Sequence, residues 1–484
     1  MTERTPLRHM LILLPGIMGS ALQQGGRDVW ALSGQALGQY LVGRGAGLAS
    51  LAIADDDWTR PDLGDDVVAT RLIADLHSVP FLCEHAGYSP ILARLTERFA
   101  VVRGDVLAPR DDASFFPFPY DWRRDCRASA QALKRFVDAQ LPRWRAHSGA
   151  ADAQVIIIGH SMGGLVGRAY VELLGGWRET LALITIGTPH RGALGTINTL
   201  SRGLPTPLVD LTAMVRSLTS VYQLLPTYRV VQLADGTFER VASLDLPGIV
   251  RARATAARED FHTSLRDTAA SNRADPGYRT RLLAWAGTRQ DTFQSAFLAD
   301  GAPTLSYHPP EGVDAARADG DGTVPRASAL PADADGRTIG RFSVERHGWL
   351  TNTPMTLEPL IDTLIELISP QLAELGGEPR EDLAPTASAI NLRLEPYYAA
   401  GTPAALRLTL LDADAPQRVR LVLTPVGHAG VAVRRTVTAR PGRPSNLNFS
   451  DLAPGLYQAV AQPLDAGFGA ATPVHGAFEV LRPA

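Results

Sequence analysis

Gly159-His160-Ser161-Met162-Gly163 follows the spacing G-x-S-x-G, which sets a serine hydroxyl on a sharp strand-to-helix turn where it can attack an acyl carbonyl. The apolar run Val155-Ile156-Ile157-Ile158 comes directly before it, and Gly163-Gly164-Leu165-Val166 opens a helical pattern after it. Glycine is needed at such a turn because the backbones of strand and helix nearly touch, leaving no room for a Cβ. A chain with 44 glycines produces the pentapeptide by chance easily. The strand in front and the helix behind are what raise it above chance.

Serine is a weak nucleophile at neutral pH and needs a base within hydrogen-bond reach, itself oriented by a third group. In α/β-hydrolases these follow the serine in the order acid, then histidine. Among eleven histidines only His347, His428 and His475 lie beyond the plausible acids, and the last two fall in a β-rich tail. His347 is therefore the expected base, on a loop after the apparent strand Ile339 to Val344. The acid is sought in Asp319-Gly320-Asp321-Gly322-Thr323-Val324-Pro325, whose glycines suit a tight turn and whose proline ends regular structure. Asp321 is the choice, because it precedes a short β-branched step; Asp319 is the reserve. A calcium loop is the weaker reading of this run, which lacks a third ligand at the required spacing and a closing glutamate.

A tetrahedral intermediate needs two backbone N–H donors, one from the residue after the nucleophile and one from a loop after an early strand. Met162 supplies the first by position. Leu14-Pro15-Gly16-Ile17-Met18-Gly19 follows the first apparent strand, and Ile17 is the expected second donor, since proline cannot donate. His160 and His190 read as local hydrogen-bonding residues. In Tyr120-Asp121-Trp122-Arg123 we expect an internal pairing of Asp121 with Arg123 and aromatics packed beneath the site.

The elements that must position these residues form an α/β pattern from about 8 to 375, short β-branched runs alternating with longer helices, as in a mainly parallel sheet covered on both faces. Strands are predicted at Met10 to Leu14, Phe99 to Val102, Val155 to Ile158, Leu181 to Ile186, Leu282 to Gly287 and Ile339 to Val344. Helices are predicted at about Arg127 to Arg145, Gly164 to Leu174 and Pro354 to Ile368. Two insertions interrupt the rhythm, at about 30–87 and 193–272. In the second, Leu208, Leu211, Val215, Leu218, Tyr222 and Leu225 recur at helical spacing. Such a stripe alone is a helix packed on the core; its place after the nucleophile helix, where hydrolases carry cap insertions, makes it a lid candidate as well. Residues 376–385 read as a linker. From 386 to 484 apolar residues alternate with period two between Pro- and Gly-rich turns, predicting a small all-β domain, an Ig-like β-sandwich. A chain ending near Pro379 is expected to fold without it.

With 484 residues the chain exceeds the usual single-domain size. A net charge of −3 carries no polybasic signature for nucleic acid or anionic headgroups, so any membrane contact would be apolar and made through the lid. Two cysteines, Cys83 and Cys126, exclude a disulfide framework and multi-cysteine metal sites; two reduced thiols are expected, with a single bridge as the alternative. No run has the length of a transmembrane helix or a signal-peptide core, and a cytoplasmic protein is the expectation.

The motifs Leu14-Pro15-Gly16-Ile17-Met18-Gly19-Ser20, Pro119-Tyr120-Asp121-Trp122-Arg123, the turn at Ser161, Gly187-Thr188-Pro189-His190-Arg191-Gly192, Tyr222-Gln223-Leu224-Leu225-Pro226, Gly320-Asp321-Gly322-Thr323-Val324 and His347 occur in the order seen in the lecithin:cholesterol acyltransferase-like family, which this chain resembles over most of residues 10 to 370. The resemblance implies an α/β-hydrolase fold with cap and lid over an acyl pocket, and acyl transfer from a lipid ester to water or an alcohol. It implies Ser161, Asp321 and His347 as catalytic triad and Ile17 and Met162 as oxyanion donors. The first insertion, with only Cys83, departs from members that close their lid with a disulfide, and the β-rich tail lies outside the family core. The expectation is a serine esterase of lipase or phospholipase type without metal or organic cofactor. A phospholipid-to-alcohol acyltransferase is the alternative, and a non-catalytic lipid-binding or scaffold protein on the same fold is the second.

Overall fold

The computed structural model describes residues 4–31, 51–74, 77–79, 83–85, 87–204, 210–334, 338–369, 388–465 and 471–481. Six strands make the central sheet: β1 (Met10–Leu14), β2 (Phe115–Pro117), β3 (Val155–His160), β4 (Thr180–Ile186), β5 (Arg281–Gly287) and β6 (Ile339–Ser343). Their spatial order is β6-β5-β4-β3-β1-β2, and every pairing is parallel. Parallel strands put all their carboxyl ends at one edge, so the loops after β1, β3, β4, β5 and β6 open onto the same crevice.

Alternation along the strands feeds two separate cores. Met10, Ile12, Leu14, Val155, Ile157 and Leu183 face one layer, where they meet Leu133, Val137 and Leu141 of α1 (Cys126–Ser148) and Leu165 and Val166 of α2 (Met162–Arg168). Leu11, Leu13, Ile156, Ile158, Ile184 and Ile186 face the other, against Leu357, Leu360, Ile361 and Leu364 of α3 (Pro354–Ile368). Both faces of a strand being apolar is what a sheet covered on both sides requires. α1 starts at Asp125, whose carboxylate accepts from the Arg127 N–H, and stops at Gly149 in the left-handed region.

Phe99 to Val102 is not a strand of this sheet, though its end touches the sheet's edge: the Val102 carbonyl accepts from the Ser114 and Phe115 N–H groups (3.0 and 3.1 Å) and Arg103 bridges Phe115. Only Phe99–Ala100 is a strand, and it pairs with Thr5–Pro6 in a two-stranded ladder. The position beside β1 belongs to Phe115–Pro117, whose Phe115 and Phe116 enter opposite cores. An edge strand needs one ladder only and tolerates Pro117. The helix predicted over 164–174 begins at Met162 and continues as a π-helix over Ala169–Leu173. The apolar stripe of the second insertion is not one helix: Thr212–Ser217 and Thr219–Gln223 are separated by extended Leu218. The Ser217 hydroxyl donates to the Met214 carbonyl (2.6 Å) and accepts from the Ile53 N–H (2.9 Å), a local alternative to helix continuation. Leu211, Val215, Leu218, Tyr222 and Leu225 are all buried in the main core; Leu208 lies outside the described residues.

The tail is all-β. A three-stranded sheet (Ala389–Arg393, Ala404–Leu411, Ser445–Phe449) and a five-stranded one (Tyr397–Ala399, Gln417–Val426, Val433–Ala439, Gly455–Pro463, Val474–Leu481) share one core. All pairings are antiparallel except that of Tyr397–Ala399 with Val474–Leu481. Val344, just after β6, is buried in that same core. The 376–385 segment and residues 32–50 of the first insertion lie outside the described residues. No helix among the described residues is long and apolar enough to cross a membrane.

Candidate active site

Ser161 sits between β3 and α2 with φ 52° and ψ −126°, a conformation L-residues rarely adopt and one that stores strain at functional turns. Its N–H donates to the Ile186 carbonyl at 2.9 Å, tying the turn to the neighbouring strand. A Cβ on Gly159 would lie 2.6 Å from the Gly164 Cα, and one on Gly163 would lie 2.4 Å from the Pro15 carbonyl oxygen. Strand, helix and the loop after β1 thus converge at contact distances that only glycine allows.

The acid turn and the histidine loop bring Asp321 and His347 to this point. The His347 Nε2 is 2.9 Å from the Ser161 Oγ, and its Nδ1 is 2.7 Å from the Asp321 Oδ2. All three are buried, Ser161 at 7% exposure, His347 at 3% and Asp321 at 1%. The second carboxylate oxygen, Oδ1, accepts from the N–H groups of Thr323 (2.9 Å) and Val324 (2.6 Å), so both oxygens are committed as acceptors. That fixes Nδ1 as the protonated nitrogen and leaves Nε2 free to accept from serine. The His347 N–H also donates to the Asp321 carbonyl at 2.8 Å. Asp319, the reserve acid, turns elsewhere: its Oδ2 accepts from the Arg289 N–H at 2.8 Å, and burial pushes its carboxyl above the usual range.

On the other flank, the Gly16 N–H donates to the Tyr88 hydroxyl (2.7 Å) and the Gly19 N–H to the Gly16 carbonyl (3.0 Å). No hydrogen bond from the Ile17 N–H is found among the described residues. Met162 is the first residue of α2, where an N–H has no carbonyl four residues back. Met162 follows Ser161 directly, and Ile17 follows Gly16, on which a Cβ would lie 2.9 Å from the Ser161 Cβ.

Tyr88 has no counterpart in the sequence reading. Its hydroxyl lies 2.9 Å from the His160 Nδ1, and the His160 Nε2 lies 3.2 Å from the His347 carbonyl. A carbonyl only accepts, so Nε2 carries the proton and Nδ1 accepts from tyrosine. Burial, and then the nearby His347, depress the His160 pKa to about 3, keeping it neutral. The sequence Gly16, Tyr88, His160, His347 is thus a hydrogen-bonded line from the loop after β1 to the histidine loop, behind the serine. Only the abutting position of His160 and Ser161 hinted at it.

The Tyr120 to Arg123 motif supports the same loop. Arg123, fully buried, reaches Asp121 (2.7 Å) and also Asp65 (2.8 Å). Tyr120 donates to the Pro15 carbonyl (2.6 Å) and the Trp122 indole to the Ser20 carbonyl (3.0 Å). Cys126 is a buried free thiol, so the bridge to Cys83 is not made.

The β-rich tail reaches the site from the opposite side. Gln290 donates from its backbone to the Gly320 carbonyl (3.0 Å) beside Asp321. Its side chain grips the strand Ala389–Arg393 in both directions, donating to the Ile390 carbonyl (2.9 Å) and accepting from the Leu392 N–H (3.1 Å). Arg346, next to His347, donates to the Leu392 carbonyl (2.8 Å). Buried Glu345 accepts from the His475 N–H (3.1 Å) and meets the His475 ring (2.8 Å), which stacks on Trp349. Sequence alone could not bring His475 here, since nothing local marks it.

Residues 107–245, which contain Tyr120 to Arg123, Ser161 and Gly187 to Gly192, match the family described as lecithin:cholesterol acyltransferase. Ile17, Asp321 and His347 lie outside the matched range. No curated protein matches the chain. Two solved structures of a Bacillus licheniformis lipase, BlEst2, are similar in part. The mature form is 12% identical, covers 75% of this chain and 95% of its own, and has a TM-score of 0.33. The propeptide form is 11% identical, covers 98% and 94%, and has a TM-score of 0.37. The family match supports a hydrolase of lipase or acyltransferase type.

Proposed function

From a chain whose residues 107–245 match the lecithin:cholesterol acyltransferase family, we propose a serine esterase acting on acyl esters of lipids through Ser161, His347 and Asp321. The observation that carries this reading is the unbroken line Oγ, Nε2, Nδ1, Oδ2, with contacts of 2.9 and 2.7 Å, built from three loops far apart in sequence. Structural histidines rarely bridge a strained serine and a carboxylate with both oxygens committed.

As Ser161 Oγ bonds to the acyl carbon, its proton passes to His347 Nε2 and the carbonyl electron pair moves to oxygen. That oxyanion is received by the N–H groups of Ile17 and Met162, whose donors require no reorganisation. Asp321 holds the imidazole in the required tautomer and stabilises its positive charge. When the tetrahedral intermediate collapses, the leaving alkoxide takes the Nε2 proton, and an acyl-Ser161 remains. Water then attacks, returns a proton through His347 and releases the fatty acid with the serine restored. An alcohol in place of water would give a new ester by the same steps, and the family match is the observation that favours considering it. The buried stripe from Leu211 to Leu225 leaves apolar membrane contact through a lid to the remainder of the insertions.

The test is incubation with phospholipid and neutral-lipid panels, with and without a long-chain alcohol. Free fatty acid as the product in both conditions is expected. A new ester at the expense of fatty acid would replace the hydrolase by the transferase, and no turnover on any acyl ester would overturn the reading.

A further inference from the structure

Away from Ser161, the second insertion and the hydrolase core enclose a cavity of about 190 Å³. Five arginines line it, Arg168, Arg191, Arg240, Arg258 and Arg266, against one carboxylate, Asp333. Asp333 is already shared: its Oδ2 accepts from Arg168 (2.8 Å) and from Arg273 (2.7 Å). Arg258 and Arg266 each contact the acid next in the chain, Glu259 and Asp267, both substantially exposed. Arg191 lies over the Tyr228 ring and donates to the Ala327 carbonyl, and Arg240 donates to the Thr227 carbonyl. Neither guanidinium has a carboxylate within salt-bridge distance among the described residues; the Glu239 carboxylate beside Arg240 accepts from its backbone N–H (3.4 Å).

Like charges gathered in a partly desolvated space repel and are normally paired. Here burial, and then the charges of Arg240 and Arg266, push the Arg258 pKa below its ordinary value. Two further groups in the wall are unsatisfied. The Arg168 Nε and the His190 Nδ1 are buried without a hydrogen-bond partner, on side chains only 3% and 5% exposed. The His190 Nε2 is 3.1 Å from the Thr185 hydroxyl. In the tautomer that lets this hydroxyl donate to Nε2, Nδ1 carries a proton and needs an acceptor.

We propose that this cavity binds a phosphoryl group, the tetrahedral oxyanion shared by inorganic phosphate and a lipid phosphomonoester head. Guanidinium groups match phosphate oxygens through paired N–H donors, and a single group with several acceptor oxygens can meet donors converging from different elements. The walls come from the end of α2 (Arg168), the loop after β4 (His190, Arg191), the helical part of the insertion (Arg258, Arg266) and the segment after the acid turn (Asp333). An anion there would tie the insertion to the core on which the triad is mounted. The proposal does not depend on reaction at Ser161.

The test is calorimetric titration of the full chain with inorganic phosphate at constant ionic strength, repeated for Arg240→Gln and Arg258→Gln, whose half-exposed positions favour retained folding. Saturable binding of one phosphate per chain is expected, with affinity about tenfold weaker in each variant, the loss typical of one charge-assisted hydrogen bond. No saturable binding to the folded wild type, or binding unchanged in both variants, overturns the proposal. Competition identifies the source. Displacement of phosphate by phosphatidic acid in phosphatidylcholine vesicles, but not by phosphatidylcholine alone, supports the site with a lipid head as ligand; displacement only by glycerol 3-phosphate supports it with a free phosphate ester.

Discussion

The two halves of the proposed triad are held by different parts of the molecule. Ser161 is set from within the parallel sheet: β3 delivers it, the Ile186 carbonyl anchors its N–H, and the loop after β1 presses on the turn at glycine-only distances. Asp321 and His347 ride on longer loops after β5 and β6 and are braced from outside by the β-rich tail, through Gln290, Arg346 and Glu345. The first arrangement is close packing of backbone on backbone and has no slack. The second is a set of side-chain hydrogen bonds that can be removed singly, and it makes alignment of the base a property shared by both regions.

Substitutions should separate the halves. Gly159→Ala forces a Cβ to within 2.6 Å of the Gly164 Cα, and we expect a loss of about 3 kcal/mol in chemical denaturation, in the range of severe overpacking. Gln290→Ala should instead register mainly in rate: kcat on a soluble ester falls about tenfold with KM little changed, because small misplacements of a catalytic group are costly. A loss of stability from Gln290→Ala matching that from Gly159→Ala, with kcat unchanged, would show that the tail props the fold and not the base. Glu345 and His475 predict the same pattern more weakly, since His475 is partly exposed.

The effect that vanishes at neutral pH concerns the line behind the serine. His160 has its pKa depressed to about 3 in the fold, from 6.5 for an ordinary histidine. A group with a lowered folded pKa gives its full contribution above 6.5, and the unfolded chain gains the proton first as pH falls. Stability is therefore lost between pH about 6.5 and 3, by up to about 1.4 kcal/mol per pH unit from this residue. Denaturant midpoints across that range should fall less steeply for His160→Gln than for the wild type. Equal slopes would remove His160 from the account.

The three side chains that meet at the proposed triad could be named before the fold, because each stands in a local pattern and in a fixed chain order. Ser161 has glycines on both sides, Asp321 lies in a glycine turn, and elimination leaves His347. The rest of the site is held together by contacts without local marks. Tyr88 and His160 meet across 72 residues, and Glu345 and His475 across 130. The edge strand Phe115–Pro117 is short and contains proline, so its pattern is weaker than that of Phe99 to Val102, of which Phe99–Ala100 pairs outside the main sheet. The stripe from Leu211 to Leu225 kept helical spacing while Ser217 broke the helix beneath it. Burial of that stripe depends on tertiary packing, which periodicity does not reveal.

The central claim is that Ser161 is an activated nucleophile, and covalent labelling with a fluorophosphonate probe tests it most directly. The folded wild-type chain should take up one label, with none on Ser161→Ala and much slower labelling of His347→Ala. A folded wild type that stays unlabelled, or an Ser161→Ala variant labelled at the wild-type rate, would contradict the account.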